Sequence, residues 1–174
     1  SLRRGEWTRS AFTGIEVRNR VLGIIGLGKV GTEVARRATG LQMRVLGYDP
    51  FVSKEQANLL GIELASLARI FQESDFICLH TPLTESTRGL IGEKEISTMK
   101  PTVRILNIAR GELIDEDALS KAVDEGRVAG AAIDVFSKEP PVDSPLLKNA
   151  KIIVTPHLGA STEEAQAEVA KEVA

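Results

Sequence analysis

The 174 residues predict an α/β fold: a doubly wound parallel sheet arranged in three α/β/α layers. Three observations carry this expectation. From Arg20 to Thr155, short β-branched apolar runs alternate with helical patterns, as strands joined by helical crossovers do. Most of these runs are apolar on both faces, as strands covered by helices on either side must be. The first run also leads without interruption into a glycine-rich turn that opens a helix. With 43% hydrophobic and 26% charged residues, the chain can bury the core of one compact domain.

The elements follow in order. Strands are expected at Val21–Ile25, Arg44–Tyr48, Phe76–Leu79, Arg104–Ile108, Ala129–Ile133 and Lys151–Thr155, with a short seventh around Ile62-Glu63-Leu64. The first helix should present Val30, Val34, Ala35, Ala38 and Leu41 on one side. Ser53-Lys54-Glu55-Gln56 and Ser161-Thr162-Glu163-Glu164 have capping-box spacing, and Asp115 is placed to cap a helix that ends before Gly126. Residues 1–19 are polar apart from isolated Trp7 and Phe12 and read as a linker from a partner domain outside this chain. Residues 20–160 form the sheet domain, and 161–174 begin a helix returning to that second domain.

Composition excludes several functions. With 22 Lys+Arg against 24 Asp+Glu, the net charge of −2 offers no attraction to nucleic acid. The single cysteine, Cys78, can form no intrachain disulfide and reads as a buried thiol, which fits a reducing cytoplasm. No apolar run is long enough to span a bilayer and the N-terminus has no signal-peptide segment, so neither membrane nor export is expected.

The turn Gly26-Leu27-Gly28-Lys29-Val30-Gly31 is G-x-G-x-x-G between a strand and a helix, the Rossmann-type context for dinucleotide binding. Gly26 permits the tight turn, Gly28 lets the backbone approach a pyrophosphate, and Gly31 lets helix and strand pack closely. The helix N-terminus then offers amides and a partial positive charge to the anion. Asp49 ends the second strand about twenty residues on, where a carboxylate accepts hydrogen bonds from the adenosine ribose and repels a 2′-phosphate. NAD is therefore the expected cofactor. The plainer reading of Asp49 is a turn former ahead of Pro50.

Further motifs are Leu79-His80-Thr81-Pro82-Leu83, Asn107-Ile108-Ala109-Arg110-Gly111, Ala132-Ile133-Asp134-Val135-Phe136 with Glu139-Pro140-Pro141, and Thr155-Pro156-His157-Leu158-Gly159-Ala160. Their order and spacing, from about Trp7 to the end, resemble the D-2-hydroxyacid dehydrogenases. Gly5-Glu6-Trp7-Thr8-Arg9 and the run from Ala160 to Gln166 resemble the branch of that family acting on 3-phosphoglycerate, with glycerate, formate or phosphite as alternative substrates. The resemblance implies a substrate-binding Arg110, an acid/base His157 and a supporting Glu139. For the cofactor it implies Gly26, Gly28, Lys29, Val30, Gly31, Asp49, Thr81, Ile108, Ala109, Arg110, Asp134 near the nicotinamide carboxamide, His157, Gly159 and Ala160, with no metal. It also implies a homodimer or higher homo-oligomer, in keeping with the two stranded aromatics.

The chemistry is reasonable for these residue types. Oxidising a secondary alcohol requires a base for the hydroxyl proton, and histidine suits that task. A neighbouring carboxylate orients the imidazole, and an arginine grips an α-carboxylate with two parallel hydrogen bonds. The bland rivals are a loop histidine, a surface arginine and a loop-capping glutamate. His80 reads as structural, and Trp7 as a cover for apolar surface on this domain or a second subunit. A different class, an NAD-sensing corepressor, shares these motifs and would act by binding partner peptides.

Overall fold

The computed structural model describes residues 2–165 and 167. Its seven strands are β1 Val21–Ile25, β2 Arg44–Tyr48, β3 Glu63–Leu64, β4 Phe76–Leu79, β5 Arg104–Asn107, β6 Gly130–Ile133 and β7 Ile152–Val154. They form one sheet in the order β3-β2-β1-β4-β5-β6-β7, and every pairing is parallel. The helices are α1 Lys29–Gly40, α2 Lys54–Leu59, α3 Leu67–Glu73, α4 Glu93–Ile96 and α5 Glu116–Asp124. The short strand expected near Ile62 is present as β3, at one edge of the sheet. Strand order reverses direction at β1, between β2 and β4, which opens a crevice at the carboxyl ends of those strands.

Side chains alternate across the sheet into two apolar clusters. Ile77 and Leu79 of β4 join Ile105, Ile70, Phe71, Leu119 and Val123 on one face. Cys78 points the other way, toward Leu22, Ile24, Val45 and the small residues Ala35, Ala38 and Ala57 of α1 and α2. Burial pushes the Cys78 thiol up to about 12, so it is inert packing. Its Sγ lies 2.9 Å from the Nε2 of His80, which fits the structural role expected of that histidine.

Two expectations are corrected, and one of two alternatives for Trp7 is removed. The buried face of α1 is Gly31, Ala35 and Ala38, whereas Val30 and Leu41 are 60% and 57% exposed. The helix begins at Lys29, which leaves Val30 in its first turn at the mouth of the glycine loop, and Leu41 lies just past its end. The cap near the C-terminus is Thr162, whose hydroxyl accepts the Ala165 amide at 3.1 Å, and not Ser161. The rest of the helix expected from 161 to 174 lies outside the described residues. Trp7 does not cover this domain: it is 75% exposed and Phe12 69%, on a segment with only two short 3₁₀ turns. Elsewhere the caps fall as expected, with Ser53 and Gln56 in a reciprocal capping box and Asp115 accepting the Ala118 amide. No helix among the described residues is long and apolar enough to cross a membrane.

Candidate active site

The candidate residues lie on loops at the carboxyl ends of strands, or, for Lys29, Val30 and Gly31, in the first turn of α1 that follows such a loop, so a parallel sheet gathers them along one edge. After β1, Gly26 adopts φ +97°, and a Cβ there would stand 2.5 Å from the carbonyl oxygen of His80. A Cβ on Gly31 would stand 2.0 Å from the Gly26 carbonyl oxygen, so α1 packs directly on the turn. Above Gly28, by contrast, nothing lies within 4 Å. No side chain caps α1, and its N-terminus opens toward this space.

Asp49 does two local jobs. Its Oδ2 accepts the Leu27 amide at 2.8 Å and its Oδ1 the Phe51 amide at 2.9 Å. The carboxylate thus both shapes the turn at Pro50 and ties β2 to the glycine loop, with lone pairs remaining on each oxygen. Gly26, Gly28, Asp49, Phe51 and Thr81 line a cleft of about 460 Å³. The open backbone at Gly28, the uncapped helix start and the acidic residue bonded to the glycine loop fit the pyrophosphate and ribose of a dinucleotide.

After β5, sequence reasoning missed Asn107. It is 1% exposed, its Oδ1 accepts the Ala109 amide at 3.1 Å, and its Nδ2 donates to the Arg110 carbonyl at 2.8 Å. A polar residue closing the apolar run Arg104–Asn107 was the available signal. Ile108 and Arg110 are exposed at the loop crest, and Arg110 Nη1 donates to the Ala109 carbonyl at 2.6 Å. Among the described residues no ion pair joins Arg110 to Glu139 or His157. Gly111 was also missed: a Cβ there would lie 1.9 Å from the Phe136 carbonyl carbon, so this loop is seated against the one after β6.

Asp134, 4% exposed at the end of β6, organises the loop after β7. Its carbonyl accepts the His157 amide at 2.8 Å. Its carboxylate accepts the amides of Leu158 at 2.7 Å and Gly159 at 2.8 Å, and the Thr155 hydroxyl. Burial works to raise this carboxyl, but those donors outweigh it and hold it below the ordinary carboxylate range. The resulting stability is present above that range and is lost as pH falls through the folded-state value.

His157 itself sits in the left-handed region at φ +56°, a conformation that costs a non-glycine residue on the order of 1–3 kcal/mol and persists only where its surroundings impose it. The converging amides around Asp134 impose it. The ring Nδ1 lies 2.9 Å from Glu139 Oε2, while Glu139 Oε1 accepts the Phe136 amide at 3.1 Å. The His157 hydrogen bond, then the Phe136 amide, hold the Glu139 carboxyl below its ordinary value. An ionised carboxylate only accepts, so Nδ1 carries the proton, and in the neutral form of the ring Nε2 is the acceptor. Half the imidazole is exposed.

A dinucleotide crevice at the switch point of a parallel sheet, with a histidine–carboxylate pair on the same edge, defines the nucleotide-binding domain of a dehydrogenase. The chain belongs to the D-isomer specific 2-hydroxyacid dehydrogenases as their NAD-binding domain, the family model matching residues 1–159. It is 51% identical over 167 residues to the D-3-phosphoglycerate dehydrogenase of Methanocaldococcus jannaschii, covering 95% of this chain and 32% of that protein. The chain spans about a third of the length of the curated relatives it matches. The crystal structure of a glyoxylate reductase from Paecilomyes thermophila superposes with a TM-score of 0.89 at 38% identity, over 98% of this chain and 52% of that one. D-lactate dehydrogenase from Aquifex aeolicus, complexed with NAD and lactic acid, gives 0.89 at 31% identity, over 99% and 56%.

Proposed function

We propose that the chain is the cofactor-binding, acid/base-bearing domain of an NAD-dependent dehydrogenase that converts 3-phosphoglycerate to 3-phosphohydroxypyruvate, a step in serine biosynthesis. The observation that carries this reading is the His157–Glu139 pair on the sheet edge that also presents the dinucleotide loop. The relatives named as phosphoglycerate dehydrogenases support the substrate. NAD, when bound, supplies the hydride acceptor. The amides of Lys29 and Val30 then face its pyrophosphate, and Asp49 its adenosine ribose. Thr81, the Ile108–Arg110 loop, Asp134 and the Gly159-Ala160 segment border the path to the nicotinamide. Arg110 grips the substrate carboxylate, His157 Nε2 takes the hydroxyl proton, and Glu139 holds the ring and stabilises the charge that forms on it.

Residues 1–19 and 161–174 are read as the two connections to a substrate domain, with 20–160 the nucleotide domain. The stranded Trp7 and Phe12 are read as covered by a second copy, giving a homodimer of a cytoplasmic enzyme.

The test pairs calorimetry with an absorbance assay. This chain alone is expected to bind NADH without measurable reduction of 3-phosphohydroxypyruvate, because one arginine cannot orient a phosphorylated acid and the site stays open to water. Joined to its substrate domain it should reduce 3-phosphohydroxypyruvate with NADH in preference to hydroxypyruvate, and it should not oxidise formate to CO₂ with NAD⁺. Equal or better turnover of an unphosphorylated acid would remove the proposed substrate.

Cofactor choice gives an independent expectation. Asp49 already holds the Leu27 and Phe51 amides, so its charge is fixed where a 2′-phosphate would arrive. NADH should bind this chain at least about tenfold more tightly than NADPH, roughly 1.4 kcal/mol, and Asp49→Asn should narrow the gap. Equal affinities in a fluorescence titration would contradict it.

A further inference from the structure

We propose that Glu116 is a positioning residue for the acid/base pair: it brackets the loop carrying Glu139 and thereby keeps His157 in the Nδ1-protonated tautomer. The inference rests on the reading of His157 and Glu139 given above.

Glu139 lies in the segment 137–144, between β6 and the 3₁₀ turn Pro145–Lys148. Residues 137–140 are exposed, so apolar burial does little to place them. Two internal hydrogen bonds, from the Val142 amide to the Pro140 carbonyl at 3.0 Å and from the Ser144 amide to the Pro141 carbonyl at 3.3 Å, give the segment shape. They do not fix where it sits.

Glu139 Oε1 also accepts the amide of buried Phe136 at 3.1 Å, and a second tie comes from one side chain on another element. Glu116 Oε1 accepts the Ser137 amide at 2.7 Å, and Oε2 accepts the Ser144 hydroxyl at 2.5 Å. These contacts fall at the two ends of the segment. Glu116 is the first residue of α5, and that helix is anchored in the core through Leu119, Ala122 and Val123. Its carboxylate therefore ties a solvent-facing loop to the rigid body of the sheet at two points. Between them, Glu139 is held within 2.9 Å of the His157 ring. Without the bracket, the segment would sample more conformations, and Glu139 would spend less time as the acceptor for Nδ1.

The rival role is electrostatic, since an acidic residue in the first turn favours a helix whatever loop lies nearby. The two roles part company on substitution. Glutamine loses the charge but keeps the geometry, because its oxygen can accept from Ser137 and its amide can donate to the Ser144 oxygen. Alanine loses both.

The experiment is ¹⁵N NMR of the histidine rings in the 174-residue chain, at a pH where both rings are neutral. There are only two histidines, so His80 serves as the internal reference. Glu139→Ala should move the His157 ring nitrogens away from the Nδ1-protonated pattern. Glu116→Ala should move them toward the Glu139→Ala values, while Glu116→Gln leaves them near wild type and His80 stays fixed throughout. Ser144→Ala, which removes one arm and leaves α5 intact, should give a smaller displacement in the same direction, and it carries the test if Glu116→Ala does not fold. Wild-type signals in both Glu116→Ala and Ser144→Ala, beside a displaced Glu139→Ala, would overturn the bracket alone. Equal displacement by alanine and glutamine at 116 would assign the effect to charge. An unmoved Glu139→Ala would overturn the pairing on which the bracket depends.

Discussion

Replacing His157 with asparagine in the two-domain enzyme should lower kcat by on the order of 10²–10⁴-fold while leaving NADH affinity near wild type. Asparagine keeps a hydrogen-bonding side chain and tolerates the left-handed backbone at this position, so the loop and its amides onto Asp134 should survive. What it lacks is a nitrogen that can take a proton from an alcohol. Stopped-flow hydride transfer and calorimetric NADH binding, measured on the same preparation, separate the two effects. Retention of most of the turnover would take His157 out of the mechanism, and a parallel loss of NADH binding would reassign it to the cofactor.

The second large effect is expected at Gly31. A methyl group there would lie 2.0 Å from the Gly26 carbonyl oxygen, a backbone atom that cannot swing aside as a side-chain terminus would. Either α1 lifts from the turn or the turn deforms. Gly31→Ala should therefore cost on the order of 4 kcal/mol, at the severe end for a single substitution, and abolish measurable NADH binding. Gly28→Ala is the informative companion. Its methyl would enter open space, so stability should stay near wild type while NADH binding falls, because that space is where a pyrophosphate must approach. Urea denaturation and calorimetry on both variants check the pair. A Gly31→Ala chain with wild-type stability and binding would contradict the packing argument.

Much of the fold could be read from the chain because its strands are buried on both faces. Continuous apolar runs such as Phe76–Leu79 need no tertiary information to be recognised, and glycine and capping residues punctuate them clearly. The face of α1 was harder. Periodicity finds Ala35 and Ala38, which are buried, and Val34, which is half-buried against them. It also counts Val30 and Leu41, which lie at the two ends of α1 where the sheet no longer covers the helix, and it passes over Gly31. The site was legible where chemistry demands a particular residue type, as at Asp49, Glu139 and His157. It was not legible where a residue works by holding backbone. Asn107 is one polar side chain at the end of a strand until its two hydrogen bonds to the next loop are seen. Asp134 reads as a cofactor contact, yet most of its capacity is spent on the loop after β7. Such contacts join segments distant in sequence, and no local pattern encodes them.

The strand order has a consequence for how the protein is made. β1, α1 and β2 form a contiguous unit holding the glycine loop and Asp49, and their pairing closes over a short stretch of chain. His157 follows β7, the far edge strand, whose partner among the described residues is β6 and which β4, β5 and β6 separate from β1. On the ribosome, where the N-terminal part emerges first, the glycine loop and Asp49 are synthesised long before His157. A partly synthesised chain therefore carries the glycine loop and Asp49 before it carries the histidine–carboxylate pair.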